Sequence, residues 1–107
     1  VPAWSVKVHP FRVRAEGGEG LPTPEGVHRD GVTLVSSLLI ARRNAVGGQS
    51  TVPDLAGRPL LNATLAEPGT LLLGDDRRTL HGVSPIRPRT AGSPAVRDVL
   101  VVTFVPA

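Results

Sequence analysis

Three side chains in this sequence have the types and spacing to hold a metal: His28 and Asp30, two positions apart, and His81, fifty-one positions beyond the aspartate. In an extended strand alternate side chains project from one face, so His28 and Asp30 can aim at one point while Arg29 points away. His81 lies in Thr79-Leu80-His81-Gly82-Val83, which also reads as strand, and a strand laid beside the first supplies the third ligand. Two imidazoles and one carboxylate on one side of a metal leave the opposite positions open, an arrangement suited to non-haem Fe(II) and its oxygen chemistry. A lone His-x-Asp also arises by chance, and a histidine in an apolar strand is more often a core or surface residue than a ligand. The elements that position these residues therefore carry the argument.

Ser5 to Ala15 places Val6 and Val8 on one face and Phe11 and Val13 on the other, which predicts a bulge or bend at His9-Pro10, with His9 structural. Glu16 to Gly26 is a turn-rich connection that delivers the chain to His28. Val32 to Ala41 is nearly continuous apolar sequence and reads as a strand covered on both faces. Alternation carried on unbroken from His28 and Asp30 turns Val32, Leu34, Ser36, Leu38 and Ile40 inward, with the small Ser36 leaving room for a ligand between Leu34 and Leu38. Asn44 to Gly48 makes a turn, and Gln49 to Val52 is a short strand limited by Pro53. Leu60 to Leu65 and Leu71 to Leu73 are further strands, divided by Glu67-Pro68-Gly69, and Val99 to Val105 is a β-branched strand. Seven or eight short strands with turns between them and no amphipathic helix predict an all-β sandwich or barrel. A jelly roll fits best, because it sets strands distant in sequence side by side, as His28, Asp30 and His81 require.

With 107 residues the chain can bury one core, and one jelly-roll domain over 1–107 is expected. The aromatics are Trp4, Phe11 and Phe104, so Val, Leu, Ile and Ala must fill the interior. The absence of cysteine excludes disulfides and thiolate metal or redox sites. Val1-Pro2-Ala3-Trp4 lacks the layout of a signal peptide and no apolar run is long enough to span a membrane, so a cytoplasmic protein is expected. The net charge of +3 comes from arginine, Lys7 being the only lysine. Arg42-Arg43, Arg77-Arg78 and Arg87/Arg89 are scattered among acidic residues without interleaved aromatics, which argues against a nucleic-acid surface.

The segments Pro24-Glu25-Gly26-Val27-His28-Arg29-Asp30-Gly31, Gly47-Gly48-Gln49-Ser50-Thr51-Val52, Asp75-Asp76-Arg77-Arg78-Thr79-Leu80-His81-Gly82-Val83 and Arg97-Asp98-Val99-Leu100-Val101-Val102-Thr103-Phe104 together carry a resemblance. In order and over essentially the whole chain, with the opening Val8-His9-Pro10-Phe11-Arg12-Val13-Arg14-Ala15, the sequence resembles the bacterial 2-oxoglutarate and Fe(II)-dependent dioxygenase family that includes L-isoleucine dioxygenase. The resemblance implies a double-stranded β-helix, a jelly-roll variant, with Fe(II) held by His28, Asp30 and His81 and with 2-oxoglutarate and O2 as co-substrates. It implies that Arg97 binds the distal carboxylate of 2-oxoglutarate, a role for which a planar, permanently charged guanidinium is suited, and that Thr103 adds a hydrogen bond. Asp75 or Asp76 would either orient a ligand or serve the turn. The implied reaction is oxidative decarboxylation of the keto acid to succinate and CO2, coupled to hydroxylation of the side chain of a free aliphatic L-amino acid. Arg12 or Arg14, Ser36, and Gln49 and Ser50 are candidate substrate contacts on their chemistry.

Two departures from that pattern stand out. The resemblance leads to the expectation of helical support ahead of the barrel, which is expected to be largely missing here, and Pro53 and Val96 occupy positions where aromatics are expected. They motivate a rival reading, a catalytically silent jelly-roll domain acting as a binding or interaction module, for which a homodimer or a partner chain is expected. A metal-binding cupin-like protein is a third reading, though it calls for a denser His/Glu ligand set.

Overall fold

The computed structural model describes residues 2–23 and 26–107, so Pro24 and Glu25 of the motif above, and Val1, lie outside the described residues. Nine strands follow one another: β1 (Trp4–Ala15), β2 (Leu34–Arg43), β3 (Ala45–Gly47), β4 (Gln49–Pro53), β5 (Pro59–Thr64), β6 (Leu71–Asp75), β7 (Gly82–Val83), β8 (Ile86–Pro88) and β9 (Ala95–Pro106). No helix occurs among the described residues, and none could therefore cross a membrane. The strands pair as a four-stranded sheet in the order β1-β9-β2-β6, a three-stranded sheet β5-β4-β7 and a two-stranded β3-β8 ribbon, all antiparallel. This is the expected jelly-roll architecture.

β9 is the spine of the large sheet. Its Ala-Val-Arg-Asp-Val-Leu-Val-Val-Thr-Phe-Val sequence is rich in β-branched residues that favour the pleated conformation, and it hydrogen-bonds to β1 on one side and β2 on the other. The predicted bulge at His9-Pro10 is not there: β1 pairs with β9 from Trp4 to Ala15 without a shift of register. β1 is an edge strand, where a proline that lacks an N–H leaves no ladder bond unmade, and simple alternation already sends Val6 and Val8 to one face and Phe11 and Val13 to the other. The irregularity falls instead in β2, between Leu39 and Ala41.

The phase of β2 is opposite to the sequence expectation. Asp30 to Leu34 is not continuous strand; the chain bends, with Gly31 at φ 78, so alternation cannot be carried from the candidate ligands into β2. Val35, Ser37 and Leu39 face the interior opposite Thr103, Val101 and Val99 of β9. Leu34, Ser36, Leu38 and Ile40 belong to the other face. Ser36 is buried there because Val102 and Leu73, its neighbours on the flanking strands, overhang a small side chain.

Aliphatic residues fill the interior in two groups, as the shortage of aromatics requires. Ala15, Ala45, Ile86 and Ala95 pack with Val13 at one end, and Leu39, Leu65 and Val99 pack with Leu72 and Val101 nearer the candidate ligands. The outer face of the large sheet is also apolar yet open to solvent, with Val6, Val8, Leu71 and Leu73 each about half exposed.

Candidate metal centre

The two histidines meet through their backbones. His28 N–H donates to the His81 carbonyl and His81 N–H to the His28 carbonyl, both at 2.9 Å, an isolated antiparallel bridge rather than the two strands expected. Gly82 permits the approach: a Cβ there would stand 3.0 Å from the Val27 side chain and 3.1 Å from the Gly26 carbonyl oxygen. The imidazole centroids are 4.6 Å apart. His28 Nε2 lies 3.4 Å from Asp30 Oδ1 and His81 Nε2 lies 3.5 Å from Asp30 Oδ2, and one ligand atom from each residue falls within 4.8 Å of the others.

The donor set fits a cation. His28 Nδ1 stands 3.0 Å from the Gly26 carbonyl oxygen, which can only accept, so Nδ1–H donates there and Nε2 is the nitrogen turned toward the carboxylate. Two imidazole nitrogens and a carboxylate gathered at one point are a donor set that a divalent metal ion satisfies. All three side chains are partly open to solvent, which leaves a path of entry.

Asp76 organises this arrangement from beneath. It is fully buried, 1% exposed, and its carboxylate accepts N–H bonds from Asp30, Gly31 and Val32 at 2.8 to 3.3 Å, while its own N–H donates to the Thr33 carbonyl. Its Oδ1 also lies 3.7 Å from His81 Nδ1, a buried nitrogen. The sequence offered Asp75 and Asp76 without dividing their roles. Asp75 serves the turn, accepting from the Arg77 N–H and guanidinium, which hold its carboxyl below the usual range.

His81 lines a cavity between the two larger sheets together with Val35, Ser37, Ser50, Leu72 and Gly74. Ser50 therefore lines the same cavity as His81; the other candidate substrate contacts do not. Arg12 makes a bidentate pair with Asp98 at 2.8 and 2.9 Å on the open face of the sheet, which raises the guanidinium pKa and lowers that of the carboxyl. Arg14 pairs with Glu16 at 2.7 Å in solvent, Gln49 is exposed, and Ser36 points away from the cavity. Pro53 is buried and its carbonyl accepts the Leu80 N–H, so it helps seat the segment that bears His81.

Arg97 is 3% exposed on the inward face of β9, its Nε is buried without a partner, and among the described residues nothing accepts a hydrogen bond from its side chain. An unpaired buried charge is costly, so a guanidinium in this position calls for an anion. Thr103 lies on the same inward face, opposite Val35 of the His81 cavity, and so at a different place along the strand. Six residues of continuous strand, about 20 Å, separate it from Arg97, and a single carboxylate cannot bond to both.

The protein-family model described as 2OG-Fe dioxygenase matches residues 1–103. The chain belongs to this family. The family uses Fe(II), 2-oxoglutarate and O2, and the interaction-module reading is not favoured. The chain is 31% identical over 109 residues to 3(1)-hydroxy-L-isoleucine 4-dioxygenase of Pantoea ananatis, a match that covers 97% of the chain and 42% of that relative. The crystal structure of a bsmA homolog from Methylobium petroleophilum PM1 superposes with a TM-score of 0.88 at 44% identity, over 97% of the chain and 42% of that structure. IDO from Bacillus thuringiensis shares the fold at a TM-score of 0.85 and 24% identity, over 96% of the chain and 46% of its own. The chain thus spans less than half the length of these relatives.

Proposed function

We propose that this chain is the catalytic core of an Fe(II)- and 2-oxoglutarate-dependent dioxygenase that hydroxylates the side chain of a free aliphatic L-amino acid, releasing succinate and CO2. The observation that carries the proposal is the convergence of His28, Asp30 and His81, from two segments distant in sequence, on one partly open point. His28 Nε2, one Asp30 oxygen and His81 Nε2 would hold the iron, and the bound iron with its co-substrates supplies the oxidising power needed to attack an unactivated C–H bond. Asp76 keeps the Asp30 loop in place and faces His81 Nδ1, so that Nε2 is free to bind metal. Arg97 would neutralise the distal carboxylate of the keto acid. Val35, Ser37 and Leu72 wall the cavity beside His81, hold an aliphatic side chain and keep water from the reacting carbon, with Ser50 a polar contact within it. The substrate class is supported by the curated relative, whose name states that it acts on a hydroxylated L-isoleucine. Free amino acids and 2-oxoglutarate meet in the cytoplasm, where we place the reaction.

Anaerobic titration with Fe(II) and 2-oxoglutarate is expected to produce the visible charge-transfer band of a keto acid chelated on iron. In air, mass spectrometry over a panel of free aliphatic amino acids should show a gain of one oxygen atom matched by succinate. His81→Ala should abolish both signals, and a folded variant that kept them would refute the site.

A further inference from the structure

Arg97 has a cationic neighbour. Arg42 of β2 lies directly opposite it in the ladder with β9. The Arg42 Nη2 donates to the carbonyls of Ala45 and Gly47 at 3.0 and 2.8 Å, whereas its Nη1 is buried and bonded to nothing among the described residues. Gly48 keeps the space beside them clear: a Cβ there would stand 2.9 Å from Arg42 Nη1 and 3.5 Å from Arg97 Cδ. Ile86, fully buried, is also in contact range of that position. Burial pushes both guanidinium pKa values down, and neighbouring cations push further, Arg42 acting on Arg97 and Arg89 on Arg42. The acid next in sequence, Asp98, is committed to Arg12 on the other face.

Two adjacent cations withdrawn from water repel each other and raise the cost of folding, so their placement makes sense when an anion joins them. Val101 stands opposite Ser37 of the His81 cavity, and only four residues, about 13 Å of strand, separate it from Arg97. An arginine side chain and a five-carbon diacid span that gap between them.

We propose that Arg42 and Arg97 together form a two-guanidinium seat for the distal carboxylate of the keto acid, with Arg42 Nη1 as the second donor. The inference rests on the 2-oxoglutarate reading above and adds to it a residue that sets specificity for a diacid. The competing role for Arg42 is a brace for the β2–β3 turn through its two carbonyl bonds.

The experiment compares two keto acids on anaerobic Fe(II) protein, 2-oxoglutarate and 2-oxopentanoate, which lacks the distal carboxylate, reading dissociation constants from the charge-transfer band. Removal of one charge-assisted donor is expected to weaken 2-oxoglutarate binding by about 10- to 100-fold in Arg42→Met, with 2-oxopentanoate and metal binding little changed. The preference for the diacid should thus collapse in Arg42→Met and be largely kept in Arg42→Lys. An unchanged preference in Arg42→Met, or equal weakening of both keto acids, overturns the proposal in favour of the brace. Should Arg42→Met fail to fold, Arg42→Gln retains a donor for the carbonyls without the charge, and the same ratio decides. No band in the wild-type chain would sink the underlying 2-oxoglutarate reading instead, and this inference with it.

Discussion

Asp76 shows how much one buried carboxylate can decide. Its Oδ2 collects N–H bonds from Asp30, Gly31 and Val32, and its Oδ1 faces His81 Nδ1. Asp76→Asn can keep the three N–H bonds through its amide oxygen, but its amide nitrogen then faces His81 Nδ1 as a donor. That favours the tautomer with the proton on Nε2, the atom that would hold the metal in the proposed site. We expect the variant to melt near the wild-type temperature while its Fe(II) affinity falls by about 10- to 100-fold, as read by metal titration. Asp76→Ala instead strands three N–H groups and should also lose stability, by roughly 1–3 kcal/mol or more. Equal metal affinity in Asp76→Asn would remove the role. The metal-binding residue types were legible in the sequence because few combinations of side chains do this chemistry. Asp76 was not distinguishable from Asp75, since adjacent identical residues differ only in where the chain turns them.

At the scale of elements, strands β4, β5, β6 and β9 were legible because β-branched or leucine-rich runs are bounded by Pro, Gly and Asp turns. The facing of β2 was not, because a single bend around Gly31 resets the alternation between the ligands and the strand. His28 and His81 likewise were expected in strands and instead share one isolated bridge. That bridge depends on close backbone approach at Gly82. Gly82→Ala must push residues 26–28 away by a few tenths of an ångström, and overpacking of this kind costs about 1–3 kcal/mol. The expected result is a modest drop in melting temperature with a several-fold loss of Fe(II) affinity. Gly17→Ala, where a Cβ meets nothing within 4 Å, is the matched control and should change neither.

Across the whole molecule, the sheet that carries Arg97 inward presents an apolar outer face. One row runs across it from Val8 through Val102 and Ser36 to Leu73. Exposed apolar area of this extent predicts that the folded chain binds a fluorescent hydrophobic dye and has limited solubility. Val8→Lys combined with Leu73→Lys should reduce dye binding and raise solubility. Stability should change little, within about 0.5 kcal/mol per exposed position. Unaltered dye fluorescence would place the exposed surface elsewhere. The central position of β9 has a further consequence, for biogenesis. The other described strands leave the ribosome before it, yet β1 and β2 are joined in the sheet only through β9. The nascent chain therefore holds two long strands with unmet ladder edges until the segment from Ala95 emerges, so the large sheet is completed in one step, after the other described strands have been made. His28, Asp30 and His81 all precede that strand in the chain, and the bridge and carboxylate that gather them, His28 with His81 and Asp76 beneath Asp30, lie outside it.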